Sequence, residues 1–406
     1  MNAALHLELS TRQTPTSLFR DVTLRRDGSA ETTHLWYEIV GGSKQEHPSA
    51  LDGFVFAVLL YAMKLGTRLV VHGPMSRSAL YNIEDIQSFW HLFRPELYKR
   101  IDIVPETIVD LERRKPGRRA IAAFSGGVDS TFTALRHKMK LAGTGSYNLD
   151  TVLMVHGFDV NLANADHFDR LIQRTEPFLT QLGVALRIIR TNSKELNLQN
   201  WEDSHGLQLA ACLHLLSEEF EFGLIGSTDR YDSLYFPWGT SPTTDHLLSG
   251  DALGVVHDGA GYSRTDKIAA LLQYPFSVSG LRVCWEGKDQ FKNCGVCEKC
   301  IRTRLNFLAA GQPHPTCFEG DLDLTLIDTI SLRNSVQLIE LQSIADFADA
   351  NNIDAEWVDR AKRRLKIYRN EILRKKRVQD VADTLEKLGL KGAVKAGLRA
   401  IRVMSP

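Results

Sequence analysis

The sequence predicts an α/β protein: a doubly wound parallel sheet carrying a metal-binding loop, with an N-terminal α+β domain before it and C-terminal helices after it. Three observations lead there. Between residues 120 and 225 short apolar strands alternate with helical stretches, the pattern of a parallel sheet covered on both faces. Three of those strands run out into polar or glycine-bearing segments, Ser-Gly-Gly-Val-Asp-Ser, His-Gly-Phe-Asp and Gly-Ser-Thr-Asp, and such sheets hold ligands beyond the carboxyl ends of their strands. The chain has 406 residues, 43% of them hydrophobic and 24% charged, which suits two or three folded domains and excludes disorder.

Taken in order, His34 to Val40 reads as a strand and Ala50 to Leu65 as a buried helix closed by Gly66. Thr67 to Val71 is a β-branched run before a turn at Gly73-Pro74, and Ile83 to Phe93 has helical spacing. These elements make a first domain over residues 1–112, and residues 111–119 (LERRKPGRR) have the composition of a linker. The second domain, residues 120–316, opens with the strand Ala120 to Phe124 and a helix through His137. Strands at Thr151 to Val155, Ala185 to Arg190 and Gly223 to Ile225 follow, separated by helices at Asp166 to Leu182 and Gly206 to Phe220. Residues 317–406 read as helical and basic.

Charge and hydropathy exclude some function classes. Lys plus Arg equals Asp plus Glu at 49 each, which removes a bulk electrostatic case for binding nucleic acid or membrane. The balance hides an asymmetry: residues 360–406 hold fifteen basic and four acidic residues, a net +11, so residues 1–359 carry −11. That tail predicts a nucleic-acid or anionic-membrane contact, an acidic partner, or a solvated helix face. The longest apolar run, Phe54 to Met63, is ten residues and too short to span a bilayer. With no secretory pattern at the N-terminus, the expectation is a cytoplasmic protein.

Ser125, Gly126, Gly127, Val128, Asp129 and Ser130 follow an apolar strand and open a helix. The glycines permit a sharp turn and close approach to a polyanion. Free N–H groups and the dipole at the helix start favour anions, and the serines add donors. Asp129 is repulsive to phosphate unless it orders the loop or shares Mg²⁺. The Gly-Lys-Ser/Thr ending of a Walker loop is missing.

Four of the six cysteines, Cys284, Cys294, Cys297 and Cys300, fall within seventeen residues. Such clustering reads as a metal site rather than a disulfide scaffold. Four thiolates at about 2.3 Å would enclose a structural Zn²⁺; an iron–sulfur cluster takes the same donors. Cys212 lies on an apolar helix face and reads as core, while Cys317 has no assignment.

The loop resembles the Ser-Gly-Gly-x-Asp-Ser segment of the PP-loop ATP-pyrophosphatase superfamily, with its adenine nucleotide α-hydrolase-like fold. Together with Cys-x9-Cys-x2-Cys-x2-Cys downstream, and with Thr265-Asp266-Lys267-Ile268 before it, residues 120–305 are similar to the 7-cyano-7-deazaguanine synthase family. The resemblance implies ATP, Mg²⁺ and Zn²⁺ as cofactors. It implies adenylation of a carboxylate on a deazaguanine, release of pyrophosphate, and displacement of AMP by ammonia. Ser125 to Ser130 would bind ATP, with Asp129 and Lys267 catalytic. Where the family has Asp-Tyr-Gly-Gln, this chain has His156-Gly157-Phe158-Asp159; where it has Tyr-Pro-Asp-Cys-Arg-Pro, this chain has Phe236-Pro237-Trp238-Gly239.

The expected activity is therefore an AMP-forming C–N ligase acting on a small acid and an amine, the amine being ammonia, a peptide or a protein. ATP-dependent sulfur transfer to tRNA or a small molecule is the rival, and a nucleotide-binding module without turnover is a third reading. Adenylation needs cations to steady charge moving onto pyrophosphate, for which Lys267 and Arg230 are candidates. His156 and Asp159 are candidates for lining the adenosine or acceptor pocket, Trp238 for stacking on a purine-like ring, and His257, in the glycine-rich loop Gly254 to Gly261, for orienting an acceptor or taking a proton from the amine.

Overall fold

A computed structural model of the chain describes residues 3–42, 48–111, 117–284, 286–287, 292–332 and 335–387. It divides into two compact units, Met1–Gly295 with Asn306–Asp321, and Val296–Leu305 with Leu322–Pro406.

The first unit is built on a ten-stranded, mostly parallel sheet among the described residues. Strands β1 (Ala4–Gln13), β2 (Ser17–Arg26) and β3 (Thr32–Val40) form an antiparallel meander. Leu18, Val22 and Leu24 of β2 are buried, so one face of the meander is apolar. Helix α1 (Asp52–Leu65) is buried almost all round and ends at Gly66, whose φ of 63° is left-handed. Strand β4 (Arg68–Ser76) continues through Gly73-Pro74: the turn expected there is a register shift within the strand. Ser76 then caps α2 (Arg77–Phe93), accepting from the Ala79 N–H, and β5 (Ile103–Val109) follows.

The alternating part comprises β6 (Arg119–Ala123), α3 (Val128–Lys138), β7 (Asn148–His156), α4 (Ala165–Leu182), β8 (Ala185–Thr191), α5 (Trp201–His214) and β9 (Phe222–Gly226). Next come β10 (Gly254–Asp258) and α6 (Arg264–Leu272), neither of which the sequence reading assigned, and then α7 (Glu298–Ala309). Strand order is β10-β9-β6-β7-β8-β3-β2-β1-β4-β5. The five strands from β10 to β8 are parallel. The chain proceeds from β6 to β7 and β8 on one side, then returns to place β9 on the other, so the strand order reverses between β6 and β9.

The first 110 residues extend this sheet rather than forming a body of their own. Residues 112–116 of the expected linker lie outside the described residues, and the strands on either side of it share one sheet, joined where β3 pairs antiparallel with β8. Leu5, Tyr37, Phe56, Ile121, Ile189 and Leu213 belong to one apolar core. The physical cause is α1, which the meander alone cannot cover. It packs on α5, and a methyl group added at Gly53 would lie 2.6 Å from the His214 side chain.

The second unit holds α8 (Thr325–Thr329), α9 (Ser335–Ala350) and α10 (Glu356–Lys387). Part of its basic charge is engaged internally: Arg360 meets Glu356 and Asp328, Lys362 meets Asp349 at 2.5 Å, and Arg364 donates to the Ile330 carbonyl at 2.8 Å. The rest of the basic tail, residues 388–406, lies outside the described residues. No described helix is long and apolar enough to cross a membrane.

Candidate functional site

Strand β6 lies at the middle of the parallel strands, and its carboxyl end delivers residues 124–127 to the start of α3. Gly126 has φ 75°, and a side chain there would strike Thr175 at 2.9 Å. Gly127 is the N-cap and has no side chain to satisfy the first-turn N–H groups, which are left for an anion or water. Ser130 closes the loop on itself: its Oγ accepts from the Ser125 N–H and donates to the Gly127 carbonyl, both at 3.2 Å. The loop also borders the β6–β9 crevice, where the strand order reverses and open α/β sheets place ligands.

Asp129 and Lys267, far apart in sequence, meet. Lys267 Nζ donates to Asp129 Oδ1 at 2.9 Å and also to the Ser227 carbonyl, and only 1% of Lys267 is exposed. Arg264 donates to the other carboxylate oxygen at 2.7 Å. A capping box explains the pairing: Ser263 accepts from the Asp266 N–H while Asp266 accepts from the Ser263 N–H, which fixes α6 with Arg264 and Lys267 one turn apart. Burial alone would raise the Asp129 carboxyl, but the charges of Arg264 and Lys267 outweigh it and hold the group down at about 2.

Arg230 is a different case. Its guanidinium turns onto Asp232, two residues along, with Nε 2.8 Å from Oδ1, whereas Arg264 meets the loop at Asp129. Arg282 donates its backbone N–H to the Gly126 carbonyl at 2.9 Å and its Nε to the Cys284 carbonyl at 3.3 Å. Burial lowers its guanidinium to about 10, opposed by the negative groups of Asp159 and Cys284. The sequence carried a signal for Arg264, since Ser263 and Asp266 spell a capping box; Arg282 sits in an irregular segment with none.

The Sγ atoms of Cys284, Cys294, Cys297 and Cys300 all lie within 4.8 Å of one another, and the four could hold a metal ion. Gly295 takes φ 78° in the knuckle, and the Cys294 N–H faces the Cys284 sulfur at 3.3 Å. Cys300 falls in the first turn of α7. Cys212 is core, and burial pushes its thiol up. Cys317 is buried, and its carbonyl accepts from Asn293 at 2.9 Å.

On the acceptor side the candidates separate. His156 is a structural histidine, stacked on Phe168 with ring centres 4.4 Å apart and bonded to the Asn161 carbonyl at 3.0 Å. Trp238 packs edge-on against His205 and Tyr235, and Asp159 is exposed. His257 stands at the carboxyl end of β10 with Nδ1 2.7 Å from the Asp245 carboxylate.

No protein-family model matches this chain, and comparison with curated proteins and with solved structures yields no match.

Proposed function

We propose that the chain is an AMP-forming ligase of the PP-loop type, which adenylates a carboxylate with ATP and joins it to ammonia or another amine. The resemblance to the 7-cyano-7-deazaguanine synthase family makes a 7-deazaguanine acid the first substrate to test. The observation that carries the reading is the loop of residues 125–130 at the β6–β9 crevice, with Asp129 clamped by Lys267 and Arg264. Asp129 thereby orders the loop without opposing phosphate: Arg264 and Lys267 against one carboxylate leave this cluster net positive. First-turn N–H groups of α3 would take phosphate oxygens, and the cations would steady charge as it moves onto pyrophosphate.

Zinc fits the cysteine group. Zn–S bonds of about 2.3 Å give a tetrahedron with edges of about 3.8 Å, inside the 4.8 Å spread of these sulfurs. The four thiolates leave no open position, so the metal would be structural. It would fix the loop from which Arg282 reaches the Gly126 carbonyl. Mg²⁺ enters this reading with ATP, where it would neutralise phosphate charge; each Asp129 oxygen accepts from one cation. A cytoplasmic location belongs to the same reading.

The test is nucleotide chemistry. Zinc-loaded protein is incubated with Mg-ATP, 7-carboxy-7-deazaguanine and ammonium chloride, and with each omitted in turn. AMP and pyrophosphate that depend on the acid, with an amide or nitrile by mass spectrometry, are expected. Formation of ADP alone, or no cleavage of ATP with any carboxylate offered, overturns the proposal.

A further inference from the structure

We infer that His257, held by Asp245, is the base that accepts the proton of the attacking amine in the second half of this reaction; the inference rests on the adenylation reading above.

The carboxylate of Asp245 is wholly buried. One oxygen accepts the Ser241 N–H at 2.9 Å, and the other lies 2.7 Å from His257 Nδ1. A carboxylate can only accept, so Nδ1 carries the hydrogen and Nε2 the lone pair. The imidazole is 6% exposed, and Nε2 is buried with no hydrogen-bond partner among the described residues. His137, a buried histidine of the fold, accepts the Tyr147 N–H on Nδ1 and sets Nε2, which makes no hydrogen bond of good geometry, 3.0 Å from the Asp258 carboxylate. His257 has its orienting bond made and its second nitrogen without a partner among the described residues.

Its placement fits the crevice. His257 is in register with Ile225 of β9, one residue before the Gly226–Asp258 pair at the strand ends. Asp258 points to α3, where Thr133 and Arg136 bind it, so its neighbour His257 points to the opposite face, where α5 packs. The phosphate loop leaves β6 toward α3. The crevice is thus bordered by the loop on one face and His257 on the other. Strand β9 lies between β10 and β6, so the carboxyl end of β10 stands about 10 Å from that of β6 across the end of β9.

The step balances. The amine nitrogen attacks the acyl carbon of the adenylate and the C–N bond forms. The bond from that carbon to the phosphate oxygen breaks, and AMP leaves with the electron pair. The nitrogen's proton passes to His257 Nε2, and Asp245 stabilises the resulting imidazolium. Asp245 is a positioning residue.

The experiment separates the half-reactions. ATP–pyrophosphate exchange with 7-carboxy-7-deazaguanine reads adenylation alone, and amide formation from ammonium chloride reads transfer. His257→Gln should cut transfer by roughly 10² to 10⁴-fold while exchange stays within a few-fold. Asp245→Asn, which puts the hydrogen on Nε2, should show the same split. Imidazole should restore part of the transfer to His257→Ala. If exchange and transfer fall together, or neither falls, His257 is not the base; if His257→Gln fails to fold, Asp245→Asn decides on the same criteria. If wild type shows no exchange with any acid, the adenylation reading fails and takes the base with it.

Discussion

Asp129→Asn removes the one negative charge shared by Arg264 and Lys267, and its cost follows from the geometry. The folded carboxyl sits at about 2 against an ordinary 3.8. At 1.36 kcal/mol per unit, the ionised form contributes about 2 kcal/mol to folding. The depressed value sets the sign: this contribution is fully present above about pH 4 and is lost as pH falls through about 2. Asparagine also leaves Lys267, almost wholly buried, with the Ser227 carbonyl in place of a carboxylate. Breaking a buried pair from one side costs about 3–5 kcal/mol, so a loss of about 3 kcal/mol is expected at pH 7. Urea unfolding followed by far-ultraviolet circular dichroism measures it on wild type, Asp129→Asn, Lys267→Met and the double variant. The double variant should lose at least about 1 kcal/mol less than the two single losses combined. The gap between wild type and Asp129→Asn should hold between pH 7 and pH 5. Additivity within about 0.5 kcal/mol would refute the clamp as an energetic unit.

Three further outcomes are expected. Purified protein should carry one zinc per chain by plasma mass spectrometry, and Cys297→Ser should lose the metal and melt at lower temperature; iron with visible absorbance would replace zinc with a cluster. Gly206→Ala should cost about 2 kcal/mol by urea unfolding, because its methyl group would lie 2.0 Å from the Gly239 carbonyl oxygen, whereas Gly261→Ala meets nothing within 4 Å and should be nearly neutral. Helix propensity favours alanine at 206 by only about 1 kcal/mol, too little to reverse the sign. Iodoacetamide should label Cys212 only after unfolding, read by peptide mass spectrometry; rapid labelling of the native chain would favour sulfur transfer.

What could be read from the sequence was local. Ser125 to Ser130 encode a backbone shape in consecutive residues, and the cysteine spacing encodes a donor set, so loop and cluster were found where they stand. Strands β1 and β2 were passed over although Leu5, Leu7 and Leu9 alternate as a half-buried strand requires. Strand β10 is hard to see in the sequence because its five residues begin with Gly254 and end with Asp258. The contacts that assemble the site are distant in sequence. Arg264 and Asp129 are separated by 135 positions and Lys267 and Asp129 by 138, and no periodicity reports such pairings. The Asp245–His257 pair spans only twelve positions, but recognising it requires knowing that β10 is a strand.

The seam between β3 and β8 rests on three residue pairs, Tyr37 with Thr191, Glu38 with Arg190 and Ile39 with Ile189, and on the Trp36 N–H bonding Asn192 at 2.9 Å. Short as it is, it decides where the chain can be cut. A fragment beginning at residue 117 would keep every motif discussed above. It would also bare the backbone of β8 along one margin and uncover the flank of α5 on which α1 lies. Exposed strand margins and bared apolar faces recruit other chains. The motif-bearing segment is therefore not a portable cassette: its first 110 residues act as the stopper that lets it exist in solution as a finished surface.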